Sequence, residues 1–117
     1  LRNMLRIPHP YASRVANREI LARTGQQPFT KQLLRHQLIL YGRVARAPGE
    51  DLRRSVTFCP NSLRPATDRY VRRRGRPRQE WVPRLLDIAI KTWGSQERVE
   101  RLVQSRDVWD CEVKKRF

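Results

Sequence analysis

The sequence has few of the residues that build metal centres, and it has no long apolar run. Its 117 residues include two cysteines and two histidines, and no pair shows the C-x-x-C or H-x-x-x-H spacing typical of zinc sites. We therefore expect no metal and no cofactor. The sequence leaves open a disulfide between Cys59 and Cys111 but does not predict one. No run approaches the roughly 20 apolar residues that a membrane-spanning helix needs, so we expect no transmembrane segment.

Catalytic groups are also scarce. Glu50 and Asp51 stand beside two arginines, and Asp110 and Glu112 lie close to a lysine, so these carboxylates are explained by charge balance. No Ser/His/Asp order and no carboxylate cluster for two metals stands out. We predict that the protein is not an enzyme. The sequence begins at Leu1 and shows no signal peptide, so we expect a fragment or a processed chain, with an intracellular location in an organelle or the nucleus left open.

The dominant feature is positive charge. The net charge is +15, carried by 22 Arg and only 4 Lys. Charge of this size repels itself in a compact monomer, which indicates a polyanionic partner. Arginine holds phosphate bidentately and stacks on bases, which favours nucleic acid, although a GC-rich coding bias would also raise the arginine content.

The charge is unevenly distributed. Residues 1–49 sum to +8, residues 50–63 to zero, residues 64–84 to +6, and residues 85–117 to only +1. We expect the polyanion to meet the first two-thirds of the chain. The near-neutral C-terminal third is expected to pack inward or against other proteins.

Hydrophobic periodicity and breaker residues predict an all-α domain of about five short helices. The expected helices cover 18–24, 31–46, 79–93, 96–104 and a last segment from Arg106. An extended basic arm is predicted over 1–16, ahead of a single helical domain over 17–117. A long irregular, Arg-rich connection is expected at about 47–78, with one short strand over 56–59 as its only regular element and a binding partner to order it.

In the second predicted helix one arc is apolar and the other basic. The apolar arc should face inward and contains Leu33, Leu34, Leu38, Leu40, Tyr41, Val44 and Ala45. The basic arc contains Lys31, Arg35, Arg43 and Arg46.

The predicted anion site is the junction between the irregular connection and the predicted helix over residues 79–93. Between Arg64 and Arg84 there are eight arginines against two acids. Pro77 is expected in the first turn of the helix, where its missing N–H costs nothing. The arginines would then lie beside unpaired backbone N–H groups and the positive end of the helix dipole. The predicted nucleic-acid-binding residues are Arg35, Arg43, Arg46, Arg64, Arg69, Arg72, Arg73, Arg74, Arg76 and Arg78.

The order of four blocks resembles the region after the polymerase in non-LTR (LINE-type) retrotransposon endonuclease–reverse transcriptases. The blocks are 17–25, 33–46, 74–81 and 104–109. They correspond roughly to the family's N-E-E-V-L-x-R-T-G helix, R-R-L-R-W-F-G-H-V-A-R-M-P, R-G-R-P-x-x-R-W and D-R-x-x-W. The resemblance covers nearly the whole chain from Asn17, although no block is a catalytic signature.

Two departures limit what the resemblance implies. Arg43 follows Tyr41 and Gly42 where the family often has histidine, and the Tyr-x-Asp-Asp polymerase motif is absent from the sequence. Polymerase activity is therefore not expected. The resemblance implies a helical appendage that handles nucleic acid, either cut from a polyprotein or kept as a small basic subunit.

We therefore predict a non-catalytic nucleic-acid-binding domain or small ribonucleoprotein subunit, with RNA favoured over DNA. One alternative is a structural or assembly subunit whose basic face meets acidic protein or lipid headgroups. A second is binding to A·T-rich DNA through Arg74–Pro77, which resembles an AT-hook.

Overall fold

The computed structural model describes residues 3–67, 74–75 and 80–117, with only the backbone given for Pro10 and Tyr11. The chain divides into two compact units, Leu1–Leu33 and Leu34–Phe117. The regular elements of the described ranges are all helices, which confirms the predicted all-α class. They are α1 (Pro10–Ser13), α2 (Asn17–Thr24), α3 (Phe29–Ala45), α4 (Leu52–Thr57), α5 (Trp81–Trp93), α6 (Gln96–Gln104) and α7 (Arg106–Arg116).

The first unit contains short elements. A turn covers residues 3–6, and α1 adds one helical turn. The segment predicted as an extended arm is therefore not extended throughout. The Ser13 hydroxyl donates hydrogen bonds to the carbonyls of Pro8 and His9, which holds this turn together. As expected, α2 ends at Gly25, whose φ of 64° is the left-handed conformation that glycine adopts easily. The predicted division at residue 16 stays a prediction.

Helix α3 begins two residues earlier and ends one residue earlier than predicted. Its buried residues are Leu38, Tyr41, Gly42, Val44 and Ala45. Two leucines expected to face inward, at positions 33 and 40, are each 44% exposed. They lie at the edge of the apolar arc, so the buried stripe is narrower than the hydrophobic pattern.

The predicted irregular connection is wrong over residues 52–57, because α4 forms there. Asp51 caps its N-terminus by accepting a hydrogen bond from the Arg53 backbone N–H at 2.8 Å. Hydrogen bonds from the Arg53 side chain to the same carboxylate lower the pKa of Asp51. The predicted strand over 56–59 is also wrong, since Val56 and Thr57 belong to α4.

The chain after α4 turns back on itself and joins the core. Phe58 forms an isolated antiparallel bridge with Pro65, and the Cys59 N–H donates to the Arg64 carbonyl at 2.8 Å. Phe58, Leu63 and Ala66 are buried. This segment is therefore ordered by the protein's own core, so the expectation that a partner orders it is wrong up to residue 67.

The start predicted for the helix over residues 79–93 is also wrong. Helix α5 begins at Trp81, and Glu80 before it is extended, with φ −76° and ψ 133°. The proline in its first turn is Pro83, whose absent N–H is among those that a helix start leaves unpaired. Pro77 lies outside the described residues, and the extended Glu80 separates it from α5.

The interior of the second unit is an aromatic cluster surrounded by aliphatic residues. Helix α5 packs against α6, and α6 packs against α7. The Trp109 ring lies 5.0 Å from that of Trp93 and 6.2 Å from that of Tyr41, and Phe58 meets Tyr41 edge-on at 5.5 Å. These separations suit aromatic pairs. Two of the three tryptophans are thus buried in the core, and Trp81 is partly buried against it.

A close approach between α3 and α7 organises this cluster. The Trp109 indole N–H donates to the Leu38 carbonyl at 2.8 Å. Beside it, Gly42 leaves room for the indole, because a Cβ at this position would lie 2.4 Å from Trp109 Cδ1 and Nε1. Only glycine lets the ring approach the α3 backbone this closely.

None of the helices in the described ranges combines the length and the apolar character needed to cross a membrane.

Candidate nucleic-acid interface

The described part of the chain contains five of the ten predicted binding arginines. Arg43, Arg64 and Arg74 are exposed, whereas Arg35 and Arg46 are partly buried. The other five predicted residues lie outside the described residues: Arg69, Arg72, Arg73, Arg76 and Arg78.

The three exposed arginines lack acidic partners. Among the described residues, no carboxylate forms an ion pair with Arg43, Arg64 or Arg74. Arg43 projects from α3 between two buried residues, Gly42 and Val44. We call these three residues the unpaired arginines.

The backbone that presents Arg64 is fixed by local hydrogen bonds. Its N–H donates to the Ser62 hydroxyl at 3.0 Å, and its carbonyl accepts from the Cys59 N–H. The next residue, Pro65, forms the bridge with Phe58. The guanidinium group thus extends from an ordered loop, and binding an anion there costs less ordering entropy than binding to a loose chain.

Three of the four arginines in residues 85–117 are paired with acids within their own helices, and Arg98 is the exception among the described residues. The paired acids lie four residues away, at nitrogen–oxygen distances of 3.7–3.9 Å: Arg101 with Glu97, Arg106 with Asp110, and Arg116 with Glu112. Each such exposed pair contributes only about 0.3–0.5 kcal/mol to stability. Their main effect is to offset the positive charge of this surface.

Two other arginines bind helix ends instead of facing solvent. Arg46 Nη1 donates to the Val103 carbonyl at 2.9 Å, in the last turn of α6. Arg54 Nη1 donates to the carbonyl of Ala45, the last residue of α3, and its guanidinium lies 5.9 Å from the Phe58 ring centre. The last carbonyls of a helix have no partner within the helix and carry partial negative charge. These guanidinium groups therefore cap two helix C-termini, a role that the sequence did not reveal.

Both capping arginines line an open cleft of about 520 Å³. Its other polar residues are Asn61, Ser62, Glu100 and Gln104. Ala45, Leu63 and Val103 supply apolar surface. The volume is within the range of about 300–1,000 Å³ that is typical of small-molecule sites.

Other candidate groups are dispersed. In residues 3–67, 74–75 and 80–117, no three His, Cys, Asp or Glu side chains form a group that could hold a metal ion. Both cysteines are free thiols, with Cys59 partly buried and Cys111 exposed. In the predicted hook, Arg74 and Gly75 are exposed, and Arg76 and Pro77 lie outside the described residues.

Comparison with known proteins found no match: no family model, no curated protein and no solved structure is similar to this chain. The resemblance to LINE-type reverse transcriptases therefore stays a prediction that rests on the order of its motifs.

Proposed function

We propose that the protein is a non-catalytic nucleic-acid-binding domain, with RNA favoured over DNA, that serves as a small structural subunit of a ribonucleoprotein. The observation that supports this most directly is the difference between two sets of arginines. Three of the four arginines in residues 85–117 pair with acids at i,i+4, whereas Arg43, Arg64 and Arg74 are exposed without an acidic partner in the described part of the chain.

Electrostatics explains why this difference matters. Unpaired guanidinium groups repel one another in the free protein, and a polyanion removes that repulsion when it binds. Each phosphate that they neutralise also releases condensed counterions, which drives binding at low salt. Guanidinium groups already held by carboxylates have less to gain, so the three unpaired arginines are the better candidates for phosphate contacts.

Descent from the tail of a retrotransposon reverse transcriptase is part of the proposal. It is supported by the order of the four sequence blocks and by the helical fold that three of them adopt where described. The buried Trp109 of the last block contributes to the core rather than to a stacking platform. We propose contacts through arginine and the sugar–phosphate backbone in preference to aromatic stacking.

The test measures affinity for a structured RNA by fluorescence anisotropy at a series of salt concentrations. The logarithm of the binding constant should fall linearly with the logarithm of salt, with a slope of about −0.7 to −0.9 per contacted phosphate. The triple variant R43A/R64A/R74A should lose about two to three units of that slope. A slope near zero for the unaltered protein would refute nucleic-acid binding.

The matched control is R101A/R106A/R116A, which removes the same three charges from the arginines that pair with acids. This control should retain most of the slope. An equal loss of slope in both triple variants would mean that total charge, rather than the unpaired arginines, determines binding.

The alternatives are tested by measuring binding to A·T-rich duplex DNA and to anionic lipid vesicles at the same salt concentration. Stronger binding to the DNA than to RNA would favour the AT-hook hypothesis, and stronger binding to the vesicles would favour the lipid-headgroup hypothesis.

A further inference from the structure

The cleft lined by Arg46 and Arg54 differs chemically from the unpaired arginines. Each of its two guanidinium groups is anchored through one Nη1 atom to a helix carbonyl. Their other N–H groups form no hydrogen bond or ion pair with any described residue. These donors are held in place and are available to a ligand.

The cleft also contains an acceptor. One carboxylate oxygen of Glu100, Oε1, accepts a hydrogen bond from Gln96 Nε2 at 3.0 Å. The second oxygen has no partner in the described ranges. Glu100 is partly buried, and a ligand that donates N–H groups to this oxygen supplies the hydrogen bond that it lacks within the described ranges.

The charges of the cleft nearly cancel. Arg46 and Arg54 contribute two positive charges and Glu100 one negative charge. The C-terminal ends of α3 and α6 each add a partial charge of about −0.5 of an elementary charge from the helix dipole. The sum is close to zero, so a phosphate group gains little here and is better accommodated on the unpaired arginines. A neutral ligand with both donors and acceptors suits the cleft better.

Guanine has this combination. Its O6 and N7 atoms are adjacent acceptors that a guanidinium contacts bidentately, and its N1–H and N2–H groups are adjacent donors that suit a carboxylate. Adenine has no carbonyl, and uracil lacks an amino group. Cytosine carries its donors and acceptors on one edge only. Leu63 and Val103 are mostly buried, and the small apolar area that they present to the cleft can contact the face of a flat base.

We propose that this cleft binds an unpaired guanine base of single-stranded RNA. The proposal rests on the proposed RNA-binding function and adds a sequence preference to it. Arg46 and Arg54 donate to the acceptors of the base, and Glu100 accepts from its Watson–Crick edge. Proteins that read RNA sequence commonly take unstacked bases in this way.

The experiment compares the pentaribonucleotides UUGUU, UUAUU, UUCUU and UUUUU by anisotropy at one salt concentration. UUGUU should bind more tightly, by roughly 5- to 150-fold, the discrimination of one good bidentate pair. Guanosine, which is uncharged, should compete with UUGUU, and its inhibition constant, corrected for the affinity of UUGUU at each salt concentration, should not depend on salt. Guanosine should also shift the NMR amide signals of Asn61, Glu100 and Gln104.

The variant Glu100→Gln keeps the size of the side chain but replaces one acceptor oxygen with a donor, so the preference for UUGUU should disappear. Glu97→Gln on the same helix makes the same charge change at an exposed position outside the cleft and should keep the preference. Retention of the preference in Glu100→Gln, or its loss in both variants, would overturn the proposal.

The two proposals can fail separately. Equal, salt-dependent binding of all four oligonucleotides would contradict the guanine cleft and leave the proposed function intact. Absence of RNA binding at low salt would contradict both. Guanosine binding without any binding of UUGUU would assign the cleft to a free nucleoside and overturn the assignment to RNA.

Discussion

Replacing Gly42 with alanine tests the packing that holds the second unit together. A methyl group there would lie 2.4 Å from two atoms of the Trp109 indole and 3.1 Å from Arg46 Nη1. The indole cannot move aside easily, because it is fully buried, contacts Trp93, and donates a hydrogen bond to the Leu38 carbonyl. We expect Gly42→Ala to destabilise the fold.

The magnitude follows from three terms. Forcing an extra carbon into a packed core costs about 1–3 kcal/mol. Displacing the indole also leaves a buried N–H or carbonyl unsatisfied, which costs about 1–3 kcal/mol. Alanine is favoured over glycine inside a helix by about 1 kcal/mol, which offsets part of this. The free energy of unfolding should therefore fall by about 1–5 kcal/mol.

Urea denaturation followed by tryptophan fluorescence measures the change. The control is Gly49→Ala, because a Cβ at Gly49 meets nothing within 4 Å. This substitution should leave stability unchanged or raise it by up to about 1 kcal/mol through the unfolded chain. If Gly42→Ala proves as stable as the control, the contact of Trp109 with the α3 backbone is not the one described.

Two further predictions concern buried aromatic residues. Burial, reinforced by the nearby Glu100 carboxylate, raises the pKa of Tyr41 well above its ordinary value. The unfolded phenol ionises near pH 10 and the folded one does not, so stability should fall above about pH 10 by about 1.4 kcal/mol per pH unit. Tyr41→Phe should lose this share of the alkaline slope in pH-dependent urea titrations; an unchanged slope would contradict the burial of the phenol. Phe58→Ala should cost about 3–5 kcal/mol in urea denaturation, whereas exposed Val56→Ala should change stability by less than about 0.5 kcal/mol. Similar small effects of both would mean that the segment after α4 does not belong to the core.

The start of α5 could have been predicted from the sequence. If this helix began at Pro77 or Gln79, Pro83 would fall beyond its first turn, where it removes a backbone hydrogen bond and clashes with the preceding turn. A start at Trp81 places Pro83 among the first four residues, whose N–H groups have no partner within the helix. Of the two prolines, Pro83 therefore sets the boundary.

Helix α4 was harder to predict. It has only six residues, too few for a hydrophobic period to be recognised, and its own residues are not buried. Its local signal is Asp51, which caps the helix but also stands next to arginines and therefore resembles simple charge balance. The burial of Phe58 and Leu63 depends on contacts with distant parts of the chain, which no local pattern specifies. By contrast, α6 is amphipathic and capped by Ser95, and its predicted bounds agree with the structure.

The arginines show why the site was only partly predictable. Arg43 and Arg46 are three residues apart at the end of α3, and the helical pattern placed both on the basic arc. Arg46 lies just after the last helical residue, where its side chain turns towards the end of α6. Arg54 was not among the predicted residues, because nothing near it in the sequence shows that it caps α3. Their roles depend on where two helix ends meet.

The unpaired arginines and the cleft should contribute separable parts of the expected affinity for RNA. The unpaired arginines act on phosphates through charge, so their contribution depends on salt and is indifferent to sequence. The cleft is nearly neutral, so any contribution from it should be insensitive to salt and dependent on the base. The net charge of +15 therefore overstates the charge available for phosphate contacts, because Arg46 and Arg54 are already engaged with helix ends and five other arginines with acids. A salt titration of UUGUU and UUUUU should consequently give parallel lines, and the vertical distance between them measures the cleft alone.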